Sequence, residues 1–201
     1  KSIFQTPNKE YWLGTYGNGI FRLDKDMKNP ESLQITNKWQ LIIDANALYD
    51  IKIIEGNFWL ATDNGAYVIN QDDEIIKHFT IDNKKPLLSN NVRAIEKTEN
   101  SNVWLGTDKG VNIINSDNYS VKSINQNSIS ENWIIDIFND DANNVWLGTL
   151  GGGAIKYNPD KVKFYHSFYN TLGHEQVVQS FTQTNDGTIW FVTEKSEISK
   201  L

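Results

Sequence analysis

Two identical pentapeptides, VWLGT at 103–107 and VWLGT at 145–149, are the clearest feature of the sequence. Three further copies align with them without gaps: YWLGT at 11–15, FWLAT at 58–62 and IWFVT at 189–193. Successive tryptophans in these segments are 42 to 47 residues apart. A period of about 40–45 residues is typical of the four-stranded blade of a β-propeller. The sequence therefore predicts an all-β fold made of tandem antiparallel blades.

Each repeat contains four predicted strands, which we call A, B, C and D in chain order. The pentapeptides are strands B, and the turns Asp63-Asn64-Gly65 and Asp108-Lys109-Gly110 predict hairpins into strands C. Strand-like alternation recurs in every repeat, whereas no window of the sequence keeps a helical period of apolar residues. The predicted strands A lie at 2–6, 48–54, 92–98, 133–139 and 177–184, strands C at 20–24, 66–70, 111–115 and 154–158, and strands D at 39–43, 78–81, 121–124 and 163–168.

The 201 residues correspond to about four and a half repeats, because the blades are predicted at 1–46, 47–91, 92–132 and 133–176, with an incomplete blade at 177–201. A closed ring cannot contain half a blade, so we expect a partial propeller that joins further blades of a larger parent chain. Unpaired strand edges at both ends also predict that the isolated chain self-associates or is only marginally stable.

Composition limits the classes of partner. The chain has 19 basic and 25 acidic residues and a net charge of −6, which gives no electrostatic basis for binding nucleic acid or an anionic membrane. It has no cysteine, so neither a disulfide nor a thiolate metal site is expected. No apolar stretch is long enough for a transmembrane helix. We predict no direct membrane contact, no cofactor and no metal.

Catalytic motifs find little support in the sequence. The histidines His78, His166 and His174 are isolated from one another, and no zinc-protease, nucleophile-elbow or phosphate-loop pattern occurs. Asp72-Asp73 and Asp140-Asp141 are carboxylate pairs, but they lie in predicted hairpin loops where polar residues are expected in any case. The region is therefore predicted to have no catalytic residues.

The repeated motif residues are predicted to be structural. A buried tryptophan contributes at most about 4–6 kcal/mol through the surface it removes from water. Glycines at one repeat position, Gly14, Gly106 and Gly148, are interpreted as sites where blades approach closely, and the motif threonines as β-branched strand residues. The predicted structural tryptophans are Trp12, Trp59, Trp104, Trp146 and Trp190.

The D-to-A loops and the B-to-C turns of a propeller emerge on the same face around its central channel, so their side chains can converge on one ligand. Trp133 lies outside the repeated positions and follows Glu131 and Asn132. Aromatic rings beside amides and carboxylates suit the hydroxyls and C–H faces of sugars. Ordinary solvated turns remain the alternative. The predicted ligand-binding residues are Asp63, Asn90, Asn91, Arg93, Asp108, Glu131, Asn132, Trp133 and His174, with Tyr16, Asn18, Asn64, Lys109 and Glu175 as wider candidates.

The repeats resemble those of the two-component regulator propeller family. Besides the W-L-G-T core, LLSNNVRAI at 87–95 and SISENWIIDI at 128–137 are similar to the segment that leads into strand A in that family. The last repeat departs from the pattern, since Phe191 and Val192 replace Leu-Gly. The resemblance implies a seven-bladed ring in the periplasmic sensor region of a hybrid two-component protein with a histidine kinase. It also implies binding, without turnover, of oligosaccharides released from glycans.

Two other classes of function stay open. A propeller lyase or another glycan-active enzyme would need a convergent cluster of histidine, glutamate or metal in the channel, and His174 is the histidine expected on that face. A protein-interaction scaffold of the WD type is the third reading, although the Trp-Asp dipeptide of that repeat is absent.

Overall fold

The computed structural model describes residues 2–5, 11–14, 20–23, 43–84, 86–99, 101–124, 133–158, 163–167, 176–194 and 198–200. These residues form antiparallel strands and contain no helix, which confirms the predicted all-β class. Within the same residues there is accordingly no helix long and apolar enough to cross a membrane.

The strands group into five successive blades. Blade 1 contains β1 (Ser2–Gln5), β2 (Tyr11–Gly14) and β3 (Ile20–Leu23). Blade 2 contains β4 (Leu48–Ile54), β5 (Asn57–Thr62), β6 (Gly65–Ile69) and β7 (Ile75–Phe79). Blade 3 contains β8 (Val92–Lys97), β9 (Asn102–Thr107), β10 (Gly110–Asn115) and β11 (Val121–Ile124). Blade 4 contains β12 (Ile134–Asn139), β13 (Val145–Gly151), β14 (Ala154–Asn158) and β15 (Lys163–Ser167). Blade 5 contains β16 (Gln176–Gln183), β17 (Ile189–Thr193) and β18 (Ile198–Lys200).

Neighbouring strands within each blade follow the predicted order A-B-C-D, so the partial propeller of four-stranded antiparallel blades is confirmed. The predicted strand D at 39–43 lies almost wholly outside the described residues, and Ile43 itself is not in a strand. The strand D predicted at 78–81 is wrong in its bounds, because it runs from Ile75 to Phe79. The tight turn before it explains the difference: Asn70 Oδ1 accepts hydrogen bonds from the backbone N–H groups of Asp72 and Glu74, so the strand starts earlier.

The hydrophobic core lies between consecutive blades. Trp59 of blade 2 packs in one cluster with Val92 and Leu105 of blade 3, and Trp104 of blade 3 packs with Ile137 of blade 4 in the next. Trp59 and Trp104 therefore each pack against the blade that follows, and Trp146 packs in the same way against Val178 and Phe181 of blade 5. Trp59, Trp104 and Trp146 are 1%, 4% and 5% exposed, in agreement with a packing role.

The first and last motif tryptophans differ from the other three. Trp190 in β17 is only half-buried, and no further blade follows it in this sequence. Trp12 lies in β2, but its side chain is outside the part of the chain that the structure describes.

Two motif glycines mark close contacts between blades. A methyl group added at Gly106 would lie 2.7 Å from Cγ2 of Ile134, and one added at Gly148 would lie 3.0 Å from Cγ1 of Val178. Both partners belong to strand A of the next blade. The glycines thus allow consecutive blades to approach closely, as the sequence predicts.

The motif threonines do more than fill strand positions. Thr62, Thr107 and Thr149 are fully buried, and each hydroxyl donates a hydrogen bond to the carbonyl of a glycine across the B-to-C turn, at 2.7, 2.9 and 2.8 Å. The Thr107 hydroxyl also accepts a bond from the backbone N–H of Lys109 at 3.1 Å. These hydroxyls therefore hold the hairpins that surround one end of the channel.

Candidate functional site

The innermost strands β4, β8, β12 and β16 line a cavity of about 780 Å³. Each of these strands carries a β-bulge near its first residues, where it pairs with strand B. A bulge adds one residue and redirects its side chain, and bulges are frequent beside binding sites. The four bulged residues, Tyr49, Arg93, Ile135 and Gln179, all line the cavity.

Arg93 lies at the centre of the cluster. Its guanidinium carbon is 4.3 Å from the ring centroid of Tyr49, in blade 2, and 5.8 Å from that of Trp133, directly before β12. Its Nε–H donates a hydrogen bond to Oδ1 of Asn91 at 3.1 Å. A cation over an aromatic face is attracted by the ring quadrupole, and an arginine head group fits two such faces. The side chain is thereby fixed by residues of three consecutive blades.

Asn91 extends the cluster to Asp108. Its Nδ2 donates a long hydrogen bond of 3.5 Å to Oδ2 of Asp108. The other carboxylate oxygen, Oδ1 of Asp108, is buried and has no hydrogen-bond partner among the described residues. Buried polar atoms in native proteins nearly always have a partner, and a bound water is the donor that suits an oxygen with no accessible surface.

Four of the residues predicted from the sequence are thus brought together: Asn91, Arg93, Asp108 and Trp133. Asp63 and Asn90 lie on the same face, but they hold loops. Oδ1 of Asp63 accepts the N–H groups of Asn46 and Ala47 at 3.0 and 3.1 Å, and Oδ1 of Asn90 accepts that of Ile81 at 2.9 Å. Among the wider candidates, Asn64 donates to the carbonyl of Asp44 and Lys109 is exposed. The predicted residues outside the described part of the chain are Glu131, Asn132, His174, Tyr16, Asn18 and Glu175.

Charged side chains line the cavity further along the strands. Lys52 Nζ forms an ion pair with Oε2 of Glu96 at 2.8 Å. Burial opposes the charge on Lys52, but the attraction of Glu96 and Asp50 raises its pKa. This pair joins the innermost strands of blades 2 and 3.

Two aspartates in equivalent positions brace neighbouring blades. Oδ2 of Asp50 accepts the N–H of Ile95 at 2.8 Å, and Oδ2 of Asp136 accepts that of Phe181 at 2.9 Å. In each pair the donor lies 45 residues later in the sequence, on strand A of the next blade. Burial raises the pKa of Asp50 to about 6 and that of Asp136 to about 7, so both carboxyl groups titrate near neutrality.

Sequence reasoning missed Tyr49, Asp50, Lys52, Glu96 and Asp136. Their signal was present, because charged or aromatic residues interrupt otherwise apolar strands A in LYDIKII, VRAIEK and WIIDIFN. Such interruptions at positions that alternate toward the channel mark its lining. Within the described residues, no group of three or more histidine or carboxylate side chains could hold a metal ion.

Side chains with other roles account for the remaining candidates. Asp140 is buried, and its Oδ2 accepts the indole N–H of Trp146 at 2.8 Å, so it positions a core tryptophan. His78 lies on the outer strand β7, where its ring stacks on Tyr67 at 3.8 Å between centroids. His166 lies on the outer strand β15.

Strand order, bulged innermost strands and cores between blades define the molecule as a β-propeller. A family model described as two component regulator propeller matches residues 86–109, which cover the loop before β8, strands β8 and β9 and the following turn. Residues 86–109 therefore match a two-component regulator propeller repeat, in line with the resemblance seen in the sequence. No curated protein matches the sequence.

Solved structures share the fold at low identity. The extracellular domain of a protein described as the hybrid two component system BT4673 from B. thetaiotaomicron is 19% identical with a TM-score of 0.78, and the match covers 99% of this chain and 27% of that chain. A catalytically inactive histidine-to-alanine variant of virginiamycin B lyase from Staphylococcus aureus is 16% identical with a TM-score of 0.73, covering 99% and 68%. PorZ from Porphyromonas gingivalis is 16% identical with a TM-score of 0.68, covering 98% and 31%. These likenesses establish the fold, and this chain spans about a quarter of the length of the BT4673 domain.

Proposed function

We propose that this chain is part of an extracytoplasmic sensor propeller of a hybrid two-component protein, and that it binds an oligosaccharide without turning it over. Two findings support the proposal: the family model that matches residues 86–109, and the fold shared with the extracellular domain of BT4673. In this reading the chain lies in the periplasm, joins further blades, and signals to a histidine kinase in the same protein.

The observation that carries the ligand-binding part is the cluster of Tyr49, Arg93 and Trp133, of which Tyr49 and Arg93 line the cavity. Aromatic rings can cover the C–H face of a sugar, while Asn91 and Asp108 offer hydrogen-bonding groups for its hydroxyls. A cavity of about 780 Å³ falls within the usual range for small-molecule sites. The cavity therefore has room for a short oligosaccharide beside Tyr49 and Arg93.

A lyase is the second candidate, because the virginiamycin B lyase shares the fold. The inactive variant of that enzyme lacks a histidine. Among the described residues, His78 and His166 lie on outer strands and neither lines the cavity, whereas His174 lies outside the described part of the chain. The described lining contains carboxylates, an ion pair and an arginine, and Asp50 and Asp136 both accept backbone hydrogen bonds. We therefore favour binding over turnover.

Calorimetric titration with a panel of glycan fragments tests the proposal on the complete protein. Trp133→Ala and Asn132→Ala should each weaken binding about 5- to 150-fold, which corresponds to about 1–3 kcal/mol for one good contact. Ile76→Ala, an exposed residue on the outer strand β7, is the control and should leave affinity unchanged. Chromatography of the recovered ligand reports turnover. Cleavage of any glycan would refute the sensor, whereas unchanged affinity in both variants would refute the assigned face.

A further inference from the structure

Arg93 is held in place, yet its terminal amino groups are unused. Its Nε–H is bonded to Asn91, and the rings of Tyr49 and Trp133 lie near its guanidinium carbon. Among the described residues, neither terminal amino group has a hydrogen-bond or ion-pair partner. Those groups carry four of the five N–H donors of an arginine. These four N–H donors of Arg93 are therefore available to a ligand.

Acidic side chains share the cavity or the loops beside Arg93, but none of the described ones forms an ion pair with it. Glu96 and Glu194 line the same cavity, and Glu96 is paired with Lys52. Asp108 is linked to Arg93 only through Asn91, whose amide oxygen accepts from the arginine while its amide nitrogen donates to the carboxylate. The amide thus keeps the two charges apart. A direct Arg93–Asp108 ion pair would have satisfied both groups and closed the site.

We infer that Arg93 is the anchor for a carboxylate group of the ligand, so that the oligosaccharide is an acidic one containing a uronic acid. The inference rests on the proposed function and names the ligand class of the same site. The guanidinium edge is planar and matches the two oxygens of a carboxylate with two parallel hydrogen bonds. Because packing and the Asn91 bond already fix the side chain, little ordering is needed when the ligand binds.

Asp108 places a negative group beside this anchor. Its Oδ2 accepts the long hydrogen bond of 3.5 Å from Asn91, and a carboxylate oxygen has room for a second donor such as a sugar hydroxyl. A uronic acid carries its carboxylate and its hydroxyls on one ring. The Asn91 amide sets the positive and negative ends of the site one side chain apart, which suits such a ring. The aromatic rings of Tyr49 and Trp133 lie beside Arg93, with centroids 4.3 and 5.8 Å from its guanidinium carbon.

Matched pairs of sugars test this inference. The probes are di- and trigalacturonate and oligomers of glucuronate, each beside its carboxyl-reduced, neutral counterpart, titrated into the complete protein at constant ionic strength. We expect the acidic member to bind about 10-fold tighter or more, which is about 1.4 kcal/mol. Arg93→Met keeps the side-chain stem and should abolish the preference for the acid. Arg93→Lys keeps the charge but loses the paired geometry, and should retain a minor part of the preference.

The controls separate charge from position. Lys84→Met removes an exposed positive charge from a residue outside the candidate site and should leave the preference unchanged. If Arg93→Met fails to fold, the comparison of Arg93→Lys with Lys84→Met decides the matter. The inference is wrong if Arg93→Met or Arg93→Lys keeps the full preference for the acidic sugar. It is also wrong if neutral or sulfated counterparts bind more tightly than the uronates, or if no uronate binds at concentrations up to about 10 mM.

The experiments distinguish a wrong ligand class from a wrong proposed function. A neutral oligosaccharide whose binding depends on Trp133 but not on Arg93 would retain the sensor and remove the carboxylate anchor. A uronate that binds through Arg93 and is then cleaved would retain the anchor and remove the sensor.

Discussion

Replacing Asp136 by asparagine should change how stability depends on pH while keeping the hydrogen bond that this side chain accepts from Phe181. Burial raises the pKa of Asp136 to about 7 from an ordinary value of 3.8, and the nearby Asp50 carboxylate adds to the rise while Lys52 opposes it. The Oδ2 atom accepts the N–H of Phe181 at 2.9 Å, and the amide oxygen of asparagine can accept the same bond. The substitution thus isolates the penalty of placing a negative charge in the channel.

The direction of the pH dependence of stability follows from proton binding. Between about pH 4 and pH 7 the folded chain keeps a proton on Asp136 that the unfolded chain has lost, so stability is full below this window and is lost as the pH rises through it. Three pKa units correspond to an upper limit of about 4 kcal/mol. Since the side chain is half-buried and water weakens the penalty, we expect about 1–2 kcal/mol.

Urea unfolding at pH 4 and pH 8 measures this effect. Asp136→Asn should be more stable than wild type at pH 8 by about 1–2 kcal/mol and nearly equal to it at pH 4. Asp117→Asn, which removes an exposed carboxylate from a C-to-D turn, is the control and should show no such difference between the two pH values. A loss of stability at pH 8 would refute the reasoning, because it would mean that attraction to Lys52 outweighs burial.

Three further substitutions test the packing and the turns, each by urea unfolding. Trp104→Ala should destabilise the protein by about 3–5 kcal/mol, and Trp190→Ala should cost clearly less because Trp190 is only half-buried. Equal losses of stability would contradict a core that lies between blades. Gly106→Ala should destabilise it by about 1–3 kcal/mol, since the new methyl group meets Ile134 at 2.7 Å, and a neutral outcome would show that the blades can separate freely. Thr107→Val should lose about 1–3 kcal/mol because the carbonyl of Gly110 and the N–H of Lys109 both lose the Thr107 hydroxyl, whereas an unchanged midpoint would make this hydroxyl dispensable.

The fold could be predicted from the sequence because each blade repeats the same local signals. The Asn-Gly turn at Asn64-Gly65 requires the positive φ of 91° that Gly65 adopts, and the flanking strands pair as the alternation indicates. Strand D of blade 2 was misplaced because its start depends on the Asn70 side chain, which caps the preceding turn. A side-chain hydrogen bond of this kind has no periodic signal.

The candidate site could be predicted only in part. Trp133 and Arg93 could be found because they lie in or beside D-to-A loops, where position alone suggested a shared face. Tyr49 and Asp136 could not be found in this way, since they lie inside strands A and not in loops. Their orientation depends on the bulges, and a bulge is visible only once the register with strand B is known.

Strand β13 does not end with blade 4. It continues to pair with β16, where Leu150 lies opposite Val177 and Gly151 opposite Gln176, and the N–H of Leu150 donates to the carbonyl of Trp133 at 2.9 Å. Among the described blades, these are the two neighbours whose sheets merge into one. Blades 4 and 5 therefore share one hydrogen-bonded sheet, to which Trp133 is attached by its backbone. A ligand that contacts both Arg93 and Trp133 would bridge blade 3 to this shared sheet.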